Sequence, residues 1–164
     1  MRFAPVAAAL SLVLVTTASV TSAQQRAADP RAAALIEQGG ALLAAGNTQG
    51  AIDAYEAALA IDPGYTPIFI DLAAASRKEG LQGKAIRYYR EALVRDPGNL
   101  AAISGEGQAL VEKGALEKAR RNLARLESLC GPSCPETAAL QSRIAAGPPA
   151  RLAADTPEKS PASN

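Results

Sequence analysis

The chain of 164 residues contains no histidine and no tryptophan, and only two cysteines. The missing histidine removes the commonest general base and the commonest metal ligand together. Two cysteines with no third, and no histidine, do not complete a zinc site or a Cys-x-x-Cys-His haem attachment. Nor is there an excess of one charge. Seventeen basic residues face 16 acidic ones, whereas a protein that binds nucleic acid through phosphates needs a marked basic surplus. No nucleophile stands beside a base, no glycine-rich phosphate loop occurs, and Glu106 and Glu112 lack one-face helical spacing. These absences leave no catalytic residues, no metal and no cofactor to expect.

The one long apolar run, Phe3 to Val15, follows Arg2 and precedes the small residues Thr21-Ser22-Ala23. Charge, apolar core and small-residue site in that order form a secretory signal over residues 1–23, cleaved after about Ala23. The run is short of the ~20 residues a membrane span needs. Retention as an uncleaved anchor is the alternative. No cysteine lies near the boundary to carry a lipid. The mature chain is therefore expected to be exported, most simply to a bacterial periplasm, with no membrane span. Its charges are uneven: Asp29 to Pro63 is mostly acidic and Arg77 to Arg125 mostly basic. Such polarity either steers a charged partner or marks solvated helix faces.

Beyond a lead-in at 24–31, one pattern dominates. Ala51, Tyr55, Ala58, Leu59 and Pro63 return 34 residues later as Ala85, Tyr89, Ala92, Leu93 and Pro97. A period of that length marks stacked helical hairpins, none of which buries its apolar face alone. Asp29-Pro30 and Thr66-Pro67 read as an N-cap with proline in the first turn. Gly46, Gly80 and Gly114 are the turns within hairpins. The repeats are expected at about 32–65, 66–99 and 100–131. Ala51, Ala85 and Ala119 should mark the closest helix crossings, and Tyr55 and Tyr89 should insert between adjacent helices. Leu126 replaces the small residue of Ala58 and Ala92, as suits a last repeat that meets a different neighbour. That neighbour is a capping helix at about 133–146, opened by a Ser133–Glu136 capping box with Leu140 and Ile144 on one face. Residues 147–164, with four prolines among small and polar residues, read as a disordered tail. The fold class is all-α: a superhelix of about three hairpins and a cap.

The runs Gly39…Gly46…Ala51…Tyr55…Ala58…Pro63 and Ala73…Gly80…Ala85…Tyr89…Ala92…Pro97, with Gly107…Gly114…Ala119, resemble the tetratricopeptide repeat family. The resemblance implies a scaffold that binds a peptide or protein in a concave groove lined by the first helix of each hairpin. Mapped onto this chain, the lining is Ile36, Glu37, Gly40 and Leu43; Ile70, Asp71, Ala74, Arg77 and Lys78; and Ala101, Ser104, Gly105, Gln108 and Glu112. Members that clamp the terminal carboxylate of heat-shock chaperones carry Lys, Asn and Arg where this chain has Ile36, Gly40, Asp71, Ala101 and Gly105, so the resemblance disfavours that ligand. Arg77 and Lys78 can still attract an acidic segment.

Cys130 and Cys134 flank Gly131-Pro132-Ser133. In an exported protein a structural disulfide is the leading reading, because Gly131-Pro132 breaks the helix and allows a tight loop. Free or redox-sensing thiols and metal binding are the alternatives. The expected function is a non-catalytic interaction adaptor of the bacterial cell envelope. The alternative is a structural subunit that packs end to end.

Overall fold

A computed structural model describes residues 26–150 of the chain. The expected signal at 1–23 and the tail from 151 onward lie outside the described residues. Seven helices run in order: α1 Pro30–Ala44, α2 Thr48–Ile61, α3 Pro67–Lys78, α4 Gln82–Arg95, α5 Leu100–Glu112, α6 Leu116–Cys130 and α7 Pro135–Ala146. They form three hairpins, α1–α2, α3–α4 and α5–α6, each stacked on the next, with α7 laid against α5 and α6. This is the all-α stack that the period predicts.

The period has a backbone cause. Gly46, Gly80 and Gly114 have φ of 82°, 84° and 79°, which other residues adopt only at a cost. After each one the next amide reaches back to the helix it has just left: Asn47 N to Leu42 O at 2.9 Å, Leu81 N to Ser76 O at 2.9 Å and Ala115 N to Leu110 O at 2.8 Å. The pattern closes the orphan carbonyls of α1, α3 and α5 and reverses the chain identically each time.

Caps set the opposite ends. Asp29 Oδ1 accepts from Arg31 N at 2.9 Å, Asn47 Oδ1 from Gly50 N at 3.0 Å and Asn99 Oδ1 from Ala102 N at 3.0 Å. Two expected caps differ. Thr66 makes no capping bond, because its backbone is already helical (φ −55°, ψ −39°) and a cap needs extended geometry to turn its side chain onto the first amides. The Ser133–Glu136 box does not form either. The cap residue of α7 is Cys134, which places Glu136 one position too early to close it. Thr137 instead donates its hydroxyl to Gly131 O at 2.9 Å.

The core alternates small and large residues. Ala51, Ala85 and Ala119 have no exposed surface, which lets paired helices approach closely. Tyr55 and Tyr89 are buried as expected, but against different partners. Tyr55 lies on Gly39 of its own hairpin, while Tyr89 crosses to Gly105 of the next. A second cluster of Ile103, Leu126 and Leu140 closes the stack. There Leu140 presses into the space beside Gly107, where an added β-carbon would lie 2.5 Å from Leu140 Cδ2. Leu126 is large because α7 gives it something to pack on.

Buried carboxylates tie helices together. Asp62, at the end of α2, accepts from Asp29 N at 2.9 Å and pairs with Arg26, holding the start of α1. Glu106 of α5 accepts from Arg90 Nε at 2.7 Å and Asn122 Nδ2 at 3.0 Å, linking α4 and α6. No helix of the described residues is long and apolar enough to cross a membrane.

Candidate functional site

The helices α1, α3, α5 and α7 border a common face, and three hollows follow α3 and α5 along it. The first, ≈ 340 Å³, lies at the linkers between hairpins and is bordered by Tyr65, Ile70, Asp96 and Ala101 among others. The second, ≈ 360 Å³, shares Ile70 and Ala101 with it and adds Tyr89, Ser104, Gly105 and Gln108. The third, ≈ 550 Å³, shares Arg77 with the second and adds Leu43, Ala74, Lys78, Glu112 and Arg143. Shared residues make the three a continuous trough. It follows α3, whose 12 residues at ~1.5 Å rise extend about 18 Å, enough for five or six extended peptide residues at ~3.3 Å each.

The trough gathers most of the residues expected to line it. Ile70, Arg77, Ser104 and Gln108 border the second hollow, and Leu43, Ala74, Arg77, Lys78 and Glu112 the third. Ile36, Glu37 and Asp71 border none of the three hollows. Ser104 is buried, so it shapes the wall more than it presents a contact. Cys130 and Cys134 lie away from the trough, at the α6–α7 turn. Their sulfurs are joined, with Cα atoms 5.9 Å apart, inside the usual disulfide range of ~4.4–6.8 Å.

The sequence reasoning missed Arg143, Glu136 and Ala139 of α7, and Gln82 of α4. No signal in the sequence marks them, because α7 becomes a wall only once Leu140 docks on Gly107. Tyr89, assigned to packing alone, also borders the second hollow.

A polar ladder fixes this wall. Arg77 Nη1 donates to Gln108 Oε1 at 2.7 Å, Gln108 Nε2 to Ser104 Oγ at 3.1 Å, and Ser104 Oγ to the Glu136 carbonyl at 3.0 Å. It runs from α3 across α5 to α7. Glu112 accepts from Gln82 Nε2 at 3.1 Å and draws Arg77 Nε and Arg143 Nε to 3.9 and 3.5 Å. Lys78 Nζ donates to the Leu43 carbonyl at 3.1 Å. Burial pushes the Asp71 carboxyl up to about 6 and raises the phenols of Tyr55 and Tyr89. Among the described residues Asp71 has no hydrogen-bond or ion-pair partner. The arrangement offers shape, apolar walls and fixed charge, which suit binding.

Residues 32–65, the first hairpin, match the family model described as tetratricopeptide repeat. That hairpin is similar to a single tetratricopeptide repeat. The array resembles solved domains of that fold along most of its length. The tetratricopeptide domain of Sgt2 from Aspergillus fumigatus is 26% identical, with a TM-score of 0.66 over 84% of this chain and 90% of that one. The first such domain of Spaghetti (RPAP3), solved with the HSP90 peptide SRMEEVD, is 24% identical with a TM-score of 0.65, over 77% of this chain and 97% of that one. The Yersinia enterocolitica type III secretion chaperone SycD, solved with a peptide of the translocator YopD, is 22% identical with a TM-score of 0.61, over 70% and 86%. No curated protein matches the chain by sequence.

Proposed function

We propose that this array is a non-catalytic adaptor that holds an extended peptide segment of a protein partner in the trough along α3 and α5. The observation that carries the reading is the trough itself: a continuous, walled channel of peptide dimensions on the first-helix face. Peptide-bound structures of the same fold support it, including those with the HSP90 peptide and the YopD peptide. α7 covers the end of the stack that an end-to-end assembly would use, which favours the adaptor over a structural subunit. The signal-like first 23 residues support export to a bacterial envelope. Export would also keep the Cys130–Cys134 bridge oxidised.

Ala101 is exposed and borders two hollows, so Ala101→Arg fills the trough without touching the core. Peptides selected by display on the wild-type domain should lose at least tenfold in affinity for Ala101→Arg. Unchanged binding would place the interaction elsewhere. Export is tested separately: the periplasmic fraction should yield a mature chain starting near Gln24, and a full-length membrane-bound chain would replace the signal with an anchor.

A further inference from the structure

The third hollow has an electrostatic character that the trough as a whole lacks. Arg77 and Lys78 from the end of α3 and Arg143 from α7 all border it, against the single carboxylate of Glu112. Glu112 accepts one hydrogen bond, from Gln82, and both arginines stand at ion-pair distance from its other oxygen. It approaches each arginine through Nε. Arg77 gives one Nη1 bond to Gln108. Among the described residues Arg77 Nη2 and both Arg143 Nη groups have no acceptor, and Lys78 keeps donors beyond its bond to Leu43. Two buried side-chain atoms beside Glu112, Gln82 Oε1 and Arg143 Nε, make no hydrogen bond.

We infer that this hollow takes an acidic side chain of the partner peptide, its carboxylate held by Arg77, Lys78 and Arg143. The inference rests on the peptide-trough reading above. Guanidinium pairs suit a carboxylate because their donors lie in one plane and match its two oxygens. The anion belongs to a peptide because the hollow opens through Arg77 into the second one, whose Ile70, Tyr89, Ala101 and Ala139 form a partly apolar wall. Ile70 and Arg77 are seven residues apart on α3, about 10 Å along the axis. An extended chain covers that distance in about three residues. The expected ligand therefore places Asp or Glu two to four residues from an aliphatic side chain. This differs from a terminal-carboxylate clamp, because the charge lies within the chain.

The test uses fluorescent peptides, acetylated and amidated so that neither terminus carries charge. Each holds one Leu and one Glu at separations of one to five residues, beside a matched set with Gln for Glu. Binding to the oxidised domain is read by anisotropy at low salt. Glu peptides with separations of two to four should bind at least tenfold more tightly than their Gln partners. Arg143→Gln combined with Lys78→Gln should erase that difference, with circular dichroism confirming the fold. Equal affinity of Glu and Gln peptides, both lost on Ala101→Arg, overturns the acidic pocket and spares the trough. Absence of binding by either set, when display also yields no peptide sensitive to Ala101→Arg, overturns both. Glu peptides that stay tight to the double variant also overturn the pocket. Inorganic phosphate that binds in an Arg143-dependent way, where Glu peptides do not, makes the hollow a free-anion site and overturns it too.

Discussion

The ring of Tyr89, on α4, fills the space that a β-carbon at Gly105, on α5, would need: that carbon would stand 2.2 Å from Tyr89 Cζ. The pair sets how closely the second and third hairpins approach, and Tyr89 is nearly fully buried there. Alanine ordinarily favours a helix over glycine by about 1 kcal/mol. Here Gly105→Ala should instead destabilise by about 1–3 kcal/mol through overpacking. Tyr89→Ala should cost about 3–5 kcal/mol. In the Tyr89→Ala background Gly105→Ala should become neutral or stabilising, a sign reversal measurable by urea unfolding. If Tyr89→Ala melts within a degree or two of wild type, the packing described is wrong.

Leu140 performs the same task for the cap. It is fully buried with Ile103 and Leu126 and rests on Gly107. Leu140→Ala should cost about 2–5 kcal/mol, and amide exchange should accelerate first in α6 and α7. Uniform acceleration in all seven helices would show that the cap is not a separable end of the stack.

Asp71 should make stability depend on pH. Burial raises its folded pKa to about 6 from an ordinary 3.8, so the fold favours the neutral acid. The unfolded chain releases the proton first, so stability falls as pH rises from about 4 to 6 and is level above. The groups facing it, Tyr55 of α2 and Tyr89 of α4, have raised phenol pKa values and stay neutral over that window. Asp71→Asn removes the penalty. Allowing for partial solvent access, it should stabilise by about 1 kcal/mol at pH 7.5 and by almost nothing at pH 3.5. An equal effect at both pH values would assign the change to packing.

The Cys130–Cys134 turn should be supported more by hydrogen bonding than by its bridge. A loop this short gives at most about 2 kcal/mol in the chain-entropy model, and the Thr137 hydroxyl bond to Gly131 O spans the same turn. Cys130→Ser with Cys134→Ser should fold with a modestly lower Tm, and Thr137→Val should lower it further. Protein from an oxidising compartment should show no thiol reactive to alkylation in mass spectrometry, and two reactive thiols would remove the bridge.

The trough was legible only in part. Leu43, Ala74, Arg77, Lys78, Ser104, Gln108 and Glu112 share the register that the repeat imposes on first helices, so their position followed from spacing. Glu37, Ile36 and Asp71 occupy the same register yet border none of the hollows, because equivalent positions meet different neighbours in successive hairpins. Tyr55 staying on Gly39 while Tyr89 crosses to Gly105 is one such difference.

The sequence by itself determined the hairpins, since glycine at 46, 80 and 114 forces the same left-handed turn every 34 residues and alanine at 51, 85 and 119 permits the same close crossing. Those are local requirements, written at fixed spacing. Only the tertiary structure decided that α7 folds back beside α5 and brings Arg143 to Glu112 and Arg77. That placement depends on Leu140 meeting Gly107, 33 residues away, after the stack has formed. Contacts between distant segments leave no periodic trace, so the charge of the third hollow emerges only when the chain closes on itself.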